Sequence, residues 1–237
     1  GEGTAMAPWQ GSIKASTDIP NASGARTSLN YWPYGNIRSA NEIIEILNEA
    51  TFDPETVKIQ IAEAKFMRAF MYLEMAKRYG GVPLELTPKQ LDASYDELYT
   101  PRSTLQATYE QIFADLDAAI ADLPGSAMSG KATKWAAHAL KSRAALYAAR
   151  IAKYHPQSSD GLTSIPAGLA GGYYTMSHAS ASAIIDSGKY PLHTGGGTYQ
   201  KTYSEVLTKK GNSEMIFVTE YDLSLIHISE PTRPSLI

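Results

Sequence analysis

The chain has 237 residues, 43% apolar and 19% charged, with a formal net charge of −3 and no cysteine. That is ordinary globular composition, enough for one large domain or two small ones. It excludes a disulfide scaffold, a thiolate metal site and a cysteine nucleophile, and it leaves no electrostatic footprint for nucleic acid or an anionic membrane surface. Residues 1–36 read as an aromatic-rich irregular segment in which Trp9, Tyr31, Trp32 and Tyr34 stand among Gly, Ser, Thr, Pro and Asn. Binding residues concentrate on loops held by a rigid scaffold. For Trp32 and Tyr34 the simpler alternative is packing beneath the first helix.

Ile37, Ala40, Ile43, Ile44 and Leu47 share one face of a helix predicted over 37–50. Asp53 and Pro54 open a longer helix, as cap and first-turn proline. Within it Ile61, Ala64, Met67, Met71 and Met75 recur at helical spacing, flanked by Phe66, Ala69, Phe70, Leu73 and Ala76. This surface is too wide for a single stripe, so the helix is expected to pack on more than one side. Lys77 and Arg78 complement the helix dipole, and Gly80 offers a left-handed cap before an extended Val82-Pro83-Leu84 exit. After a tyrosine-bearing connection (Tyr95, Tyr99), Ser103-x-x-Gln106 has the form of a capping box opening a helix to Leu123. Thr133 is a candidate cap for the next helix, which ends at Tyr154.

That last helix echoes the long one. A shift of 75 residues places Ala64, Arg68, Ala69, Tyr72 and Tyr79 on Ala139, Arg143, Ala144, Tyr147 and Tyr154. Small residues at fixed helical positions allow close helix approach. Two such copies around another long helix predict stacked hairpins of the tetratricopeptide kind over 37–155. Arg68 and Arg143, both amid apolar residues, are expected to pair with carboxylates or helix ends. Residues 156–221 continue the same domain. They comprise a Gly/Ser/Pro-rich loop, a helix over 175–187 with Ala179, Ala183 and Ile184 inward, a short helix over 199–207, and a strand at Glu214–Val218. The fold class is mainly α, with a minor β or irregular segment.

Few motifs carry chemistry. Gly125 to Lys131 fits G-x-x-x-x-G-K, but Ala132 stands where magnesium needs a hydroxyl, and a helix precedes it instead of a strand, so it reads as a helix-to-helix turn. The five histidines are scattered without the i, i+4 spacing of a helical zinc site, so no metal or cofactor is expected. Asp115 with Asp117, and Asp92 with Asp96 and Glu97, are too close in sequence to flank one sugar as a glycosidase pair, and read as solvated carboxylates or at best a loop calcium site. No catalytic residue is assigned. The 15 tyrosines, against 5 phenylalanines, join flat apolar faces to polar tips and suit wet, sugar-like ligands.

Ordered pieces of the chain resemble the SusD/RagB family of outer-membrane glycan-binding lipoproteins. They are Trp32-x-x-x-x-Ile37-Arg38-x-x-Asn41; Glu63-Ala64-x-x-x-Arg68-Ala69-Phe70-x-Tyr72 through Tyr79-Gly80-Gly81-Val82-Pro83-Leu84; Pro101-Arg102-Ser103 to Leu123-Pro124; Gly130-Lys131-Ala132-Thr133 to Tyr147; Ala183-Ile184-Ile185-x-Ser187-Gly188-x-Tyr190-x-Leu192; and Ser213-Glu214-Met215-Ile216-Phe217. The resemblance implies a tetratricopeptide-like helical fold. It also implies a non-enzymatic cell-surface protein that binds poly- or oligosaccharide and lids a SusC-like TonB-dependent transporter. The chain is expected to be an internal fragment: the family's export signal, lipid-anchor cysteine and C-terminal portion are absent from it, and membrane association would come through that anchor. Residues 222–237 resemble translated sequencing-adapter read-through and are expected to be non-native. The glycan-stacking residues expected are Trp9, Trp32 and Tyr34. The alternative is a tetratricopeptide scaffold that binds a protein without its own glycan site.

Overall fold

The computed structural model describes residues 31–89, 94, 98–128, 130–195, 197–209 and 211–218. Trp9, Tyr95, the carboxylates Asp92, Asp96 and Glu97, and the 222–237 tail lie outside the described residues. Six α-helices stand among the described ones: α1 (Tyr34–Asn48), α2 (Pro54–Tyr79), α3 (Leu105–Asp122), α4 (Lys134–Tyr154), α5 (Ala170–Asp186) and α6 (Tyr199–Thr208). A 3₁₀ turn, Ala167–Leu169, leads into α5.

Local chemistry sets most boundaries. Asp53 Oδ2 accepts from the Thr56 amide at 2.9 Å, and Pro54 takes the first turn of α2, where its missing N–H costs nothing. Thr133 caps α4 by accepting from the Ala136 amide. The capping box expected at Ser103 does not form. Thr104 is the cap of α3, accepting from Ala107 at 3.1 Å, while Gln106 bonds Glu110. Ser103 is held outside the helix because its amide donates to Val82 O at 3.1 Å.

Successive helices pack on one another, α1 on α2, α2 on α3, α3 on α4 and α4 on α5. The end of α2 lies beside the start of α3, and Lys131, just before α4, reaches Glu63 near the middle of α2. So α2 and α4 run parallel, with α3 antiparallel between them, as stacked hairpins require. One apolar core runs through the stack, from Ile37 through Phe66, Tyr72 and Met75 to Tyr109, Ile112, Leu116, Ala144 and Ala148. Met67, placed inward by its spacing, and Ile43 are exposed, because no helix covers the outer side of the α1–α2 hairpin among the described residues.

The Gly80-Gly81 turn clamps the stack's end. Gly80 takes φ +78°, ψ −142°, not the left-handed helical cap expected but an extended mirror-image conformation open only to glycine. A Cβ there would stand 2.2 Å from Leu162 O, and one on Gly81 would stand 2.0 Å from Ser103 O. The glycines let the loop after α4 and the approach to α3 close on the end of α2, with Gly81 N donating to Leu162 O at 2.6 Å.

A buried polar network ties three helices. Arg68 donates to Asp115 through Nη2 at 2.6 Å and Nε at 2.8 Å, and through Nη1 to Asn41 Oδ1 at 2.7 Å. Asn41 Nδ2 donates in turn to Glu85 O at 2.9 Å. Asp115 is therefore not a solvated carboxylate, although Asp117, bonded by Lys141, is exposed. The second copy of the repeat departs here: Arg143 is exposed and has no carboxylate partner among the described residues. Tyr147 is 48% exposed where Tyr72 is fully buried. The cause is the register of α5, which meets α4 through reciprocal Ser142–Ser177 bonds of 2.9 Å and places Tyr173 on Phe113. Accordingly α5 begins five residues earlier than predicted and buries Tyr173, Ser177 and Ser180, with Ala179 exposed. The strand expected at Glu214–Val218 is absent: these residues form turns and bends, with no partner strand among the described residues.

Candidate functional site

The segment entering α1 builds an aromatic cluster. Pro33 and the start of α1 space Trp32 and Tyr34 so that their rings meet, with centroids 5.0 Å apart and planes tilted by 55°. Tyr79, in the last turn of α2, supplies the second wall, edge-on to Trp32 at 5.2 Å. Tyr34 is fixed by donating its hydroxyl to Pro83 O at 2.6 Å. Burial pushes its pKa up, with Tyr72 and Glu85 adding to the effect, so the phenol stays neutral and keeps its proton for that bond. Tyr31 anchors the other side: its amide donates to the Tyr79 hydroxyl at 3.0 Å, and the Arg78 guanidinium lies 5.1 Å from its ring. Glu74 holds Arg78 in turn at 2.6 Å.

Trp32 is not packed beneath the first helix. It is 52% exposed, supported by two tyrosines, and presents an apolar plate to solvent. Such a plate on a rigid base suits the C–H face of a sugar ring. Tyr34 is half-buried and acts mainly as that base. Tyr79 was legible in the sequence as a repeat position and as part of the Tyr79-Gly80-Gly81 motif, not as a site residue; its place just before the Gly-Gly turn puts it next to the chain entering α1.

Two of the clefts among the described residues open elsewhere, and neither is lined by Trp32 or Tyr34. The larger, about 720 Å³, lies along α1 and α2 and is mostly apolar, with Ile43, Ile46, Met67 and Met71 on its walls and the Glu63–Lys131 ion pair at its edge. The smaller, about 490 Å³, lies among the α3–α4 turn, Lys189-Tyr190 and residues 211–218. The G-x-x-x-x-G-K sequence is one wall of this second cleft. It connects two helices, and its lysine is held by Glu63 at 2.8 Å.

A family profile described as starch-binding and associating with the outer membrane, SusD-like, matches residues 6–146, more than half of the chain. The chain belongs to the SusD-like family. Among solved structures, a SusD-like protein from Bacteroides fragilis is 30% identical over 79% of this chain and 32% of its own, with a TM-score of 0.63. A SusD superfamily protein from Bacteroides thetaiotaomicron is 23% identical over 81% of this chain and 38% of its own, at 0.58. A further structure, solved with xylogluco-oligosaccharide, is 21% identical over 78% of this chain and 33% of its own, at 0.60. The latter two share the fold. The chain thus spans about a third of the length of the SusD-like structures it matches. No curated protein matches it.

Proposed function

We propose that this chain takes part in non-catalytic capture of poly- or oligosaccharide at the cell surface, as part of a lipid-anchored SusD-like protein that delivers the glycan to a SusC-like TonB-dependent transporter. The observation that carries the reading is the Trp32 plate, half-exposed yet braced by Tyr34 and Tyr79, in a chain whose family is described as starch-binding. Each sugar–aromatic contact is weak, so affinity is built from several subsites and from rigidity of the plate. Trp9 is proposed as a second stacking residue.

Affinity electrophoresis against neutral and acidic polysaccharides tests this. Retardation by at least one glycan, reduced about tenfold in affinity by Trp32→Ala, is expected; a folded chain that no glycan retards would overturn it. The apolar α1–α2 cleft favours a second role for the same molecule, since an exposed stripe of Ile43, Ile46 and Met67 suits a protein surface. In that reading the repeats face the transporter, and binding is lost by changes on the helix faces and not at Trp32.

A further inference from the structure

The chain carries a formal net charge of −3, yet the smaller cleft is not acidic. None of the described residues lining it is Asp or Glu. Beside it, the side chains of Lys134, Trp135 and Lys189 converge on Gly125: a Cβ built on that glycine would lie 3.5 Å from Lys189 Nζ, 3.6 Å from Lys134 Cε and 3.9 Å from Trp135 Nε1. The two ammonium groups sit over the same indole, Lys134 at 4.7 Å and Lys189 at 5.8 Å from ring centroids. Gly125 O accepts from both Trp135 Nε1 and Lys189 Nζ, each at 2.9 Å.

This arrangement is electrostatically one-sided. Lys189 bonds a neutral carbonyl and has no carboxylate partner among the described residues, so none of these compensates its charge. Lys134 occupies the first turn of α4, where a cation is disfavoured by the helix dipole, and that turn holds no acidic residue to offset it. Lys131 is the exception, neutralised by Glu63. Two close like charges without a counter-charge repel, and an anion placed between them relieves the repulsion. The cleft also has apolar and aromatic surface, from Tyr190, Met215 and Phe217, on which a sugar face can lie.

We propose that this cleft is a second saccharide subsite, selective for a sugar ring bearing a negative charge, with Lys134 and Lys189 meeting the anionic group and Tyr190 the ring. The proposal rests on the glycan-capture reading, adding a site remote from Trp32 and a substrate class. The test is isothermal titration of the chain with oligogalacturonate and with the same oligomer fully methyl-esterified, at 50 and 500 mM NaCl, alongside a sulfated neutral oligosaccharide and neutral xyloglucan oligosaccharide. The free-acid oligomer is expected to bind at least tenfold more tightly than its methyl ester, and to lose most of that preference at high salt. Lys134→Gln/Lys189→Gln is expected to abolish the preference while leaving the helical circular dichroism unchanged. Lys189→Glu is expected to reverse it. Equal binding of the sulfated oligomer assigns the selectivity to charge in general, and weaker binding assigns it to carboxylate; either supports the site. Equal affinity for acid and ester, or a preference that survives in the double-lysine variant, overturns the inference while leaving glycan capture standing. Binding of none of the oligosaccharides overturns this inference, and glycan capture itself is then decided by the polysaccharide panel above.

Discussion

Replacing Asp115 with alanine isolates the strongest structural commitment in the stack. Arg68 and Asp115 are 7% and 4% exposed, and two charge-assisted bonds of 2.6 and 2.8 Å join them. Truncating the carboxylate strands a buried guanidinium, which keeps Asn41 Oδ1 and a longer contact to Leu86 O but no counter-charge. Removing one partner of such a pair costs about 3–5 kcal/mol. With a urea m-value of about 2 kcal/mol/M, the midpoint falls by roughly 1.5–2.5 M. Replacing both residues, as Arg68→Met/Asp115→Leu, restores most of the loss, because the pair as a unit contributes little beyond an apolar pair of similar volume. A residual cost of about 1–2 kcal/mol remains, since Asn41 Oδ1 loses its donor. Urea titration followed by circular dichroism at 222 nm reads all three variants. A loss under about 1 kcal/mol for Asp115→Ala, or a double variant as unstable as the two single changes summed, refutes the reasoning.

Two tyrosine hydroxyls with opposite surroundings are expected to respond oppositely. Tyr72 OH donates to Glu85 O and accepts from Glu85 N, so Tyr72→Phe leaves the Glu85 amide unpaired, Glu85 O keeping Asn41 Nδ2, and costs about 1–3 kcal/mol; Tyr109 OH is buried without a partner among the described residues, so Tyr109→Phe is neutral or stabilising by up to about 1 kcal/mol. Thermal melts of the two variants compare them directly, and equal losses contradict the account. Burial, reinforced by Lys141 and Lys134 and opposed by Asp117, pushes the His138 pKa down. Below about pH 6.5 the unfolded chain therefore takes up this proton before the folded one does, and stability falls as pH drops through the window between that value and the lowered folded pKa. Melting temperatures from pH 7.5 to 5.5 are expected to slope less steeply in His138→Gln; identical slopes rule out this histidine as a source of acid lability.

Much of the helix order was legible because its causes are local. Asp53-Pro54 opens α2, Thr133 caps α4, and the Met and Ala spacing marks an interior helix; each depends on residues within a turn or two. The cap of α3 moved from Ser103 to Thr104 for a non-local reason, the Ser103 amide being engaged by Val82 O. The site was legible in part. Trp32 and Tyr34 were visible as aromatics on an irregular segment, but the wall that exposes and braces Trp32 is Tyr79, 47 residues away in sequence. Trp135 and Lys134 do not stand out along the chain, because their meaning lies in Lys189, brought to the same glycine by the turn after α5.

By itself the sequence determined the order of the helices, most of the interior faces of α2 and α3, and the membership of a family, since periodicity, capping and ordered motifs are written along the chain. Only the tertiary structure decided which copy of a repeated residue is buried. Arg68 and Arg143, or Tyr72 and Tyr147, hold equivalent places in two similar helices, but α3 brings Asp115 to the first arginine while α5 meets α4 through serines and leaves the second uncovered. Burial belongs to the neighbour that arrives, and no residue encodes its neighbour's register alone.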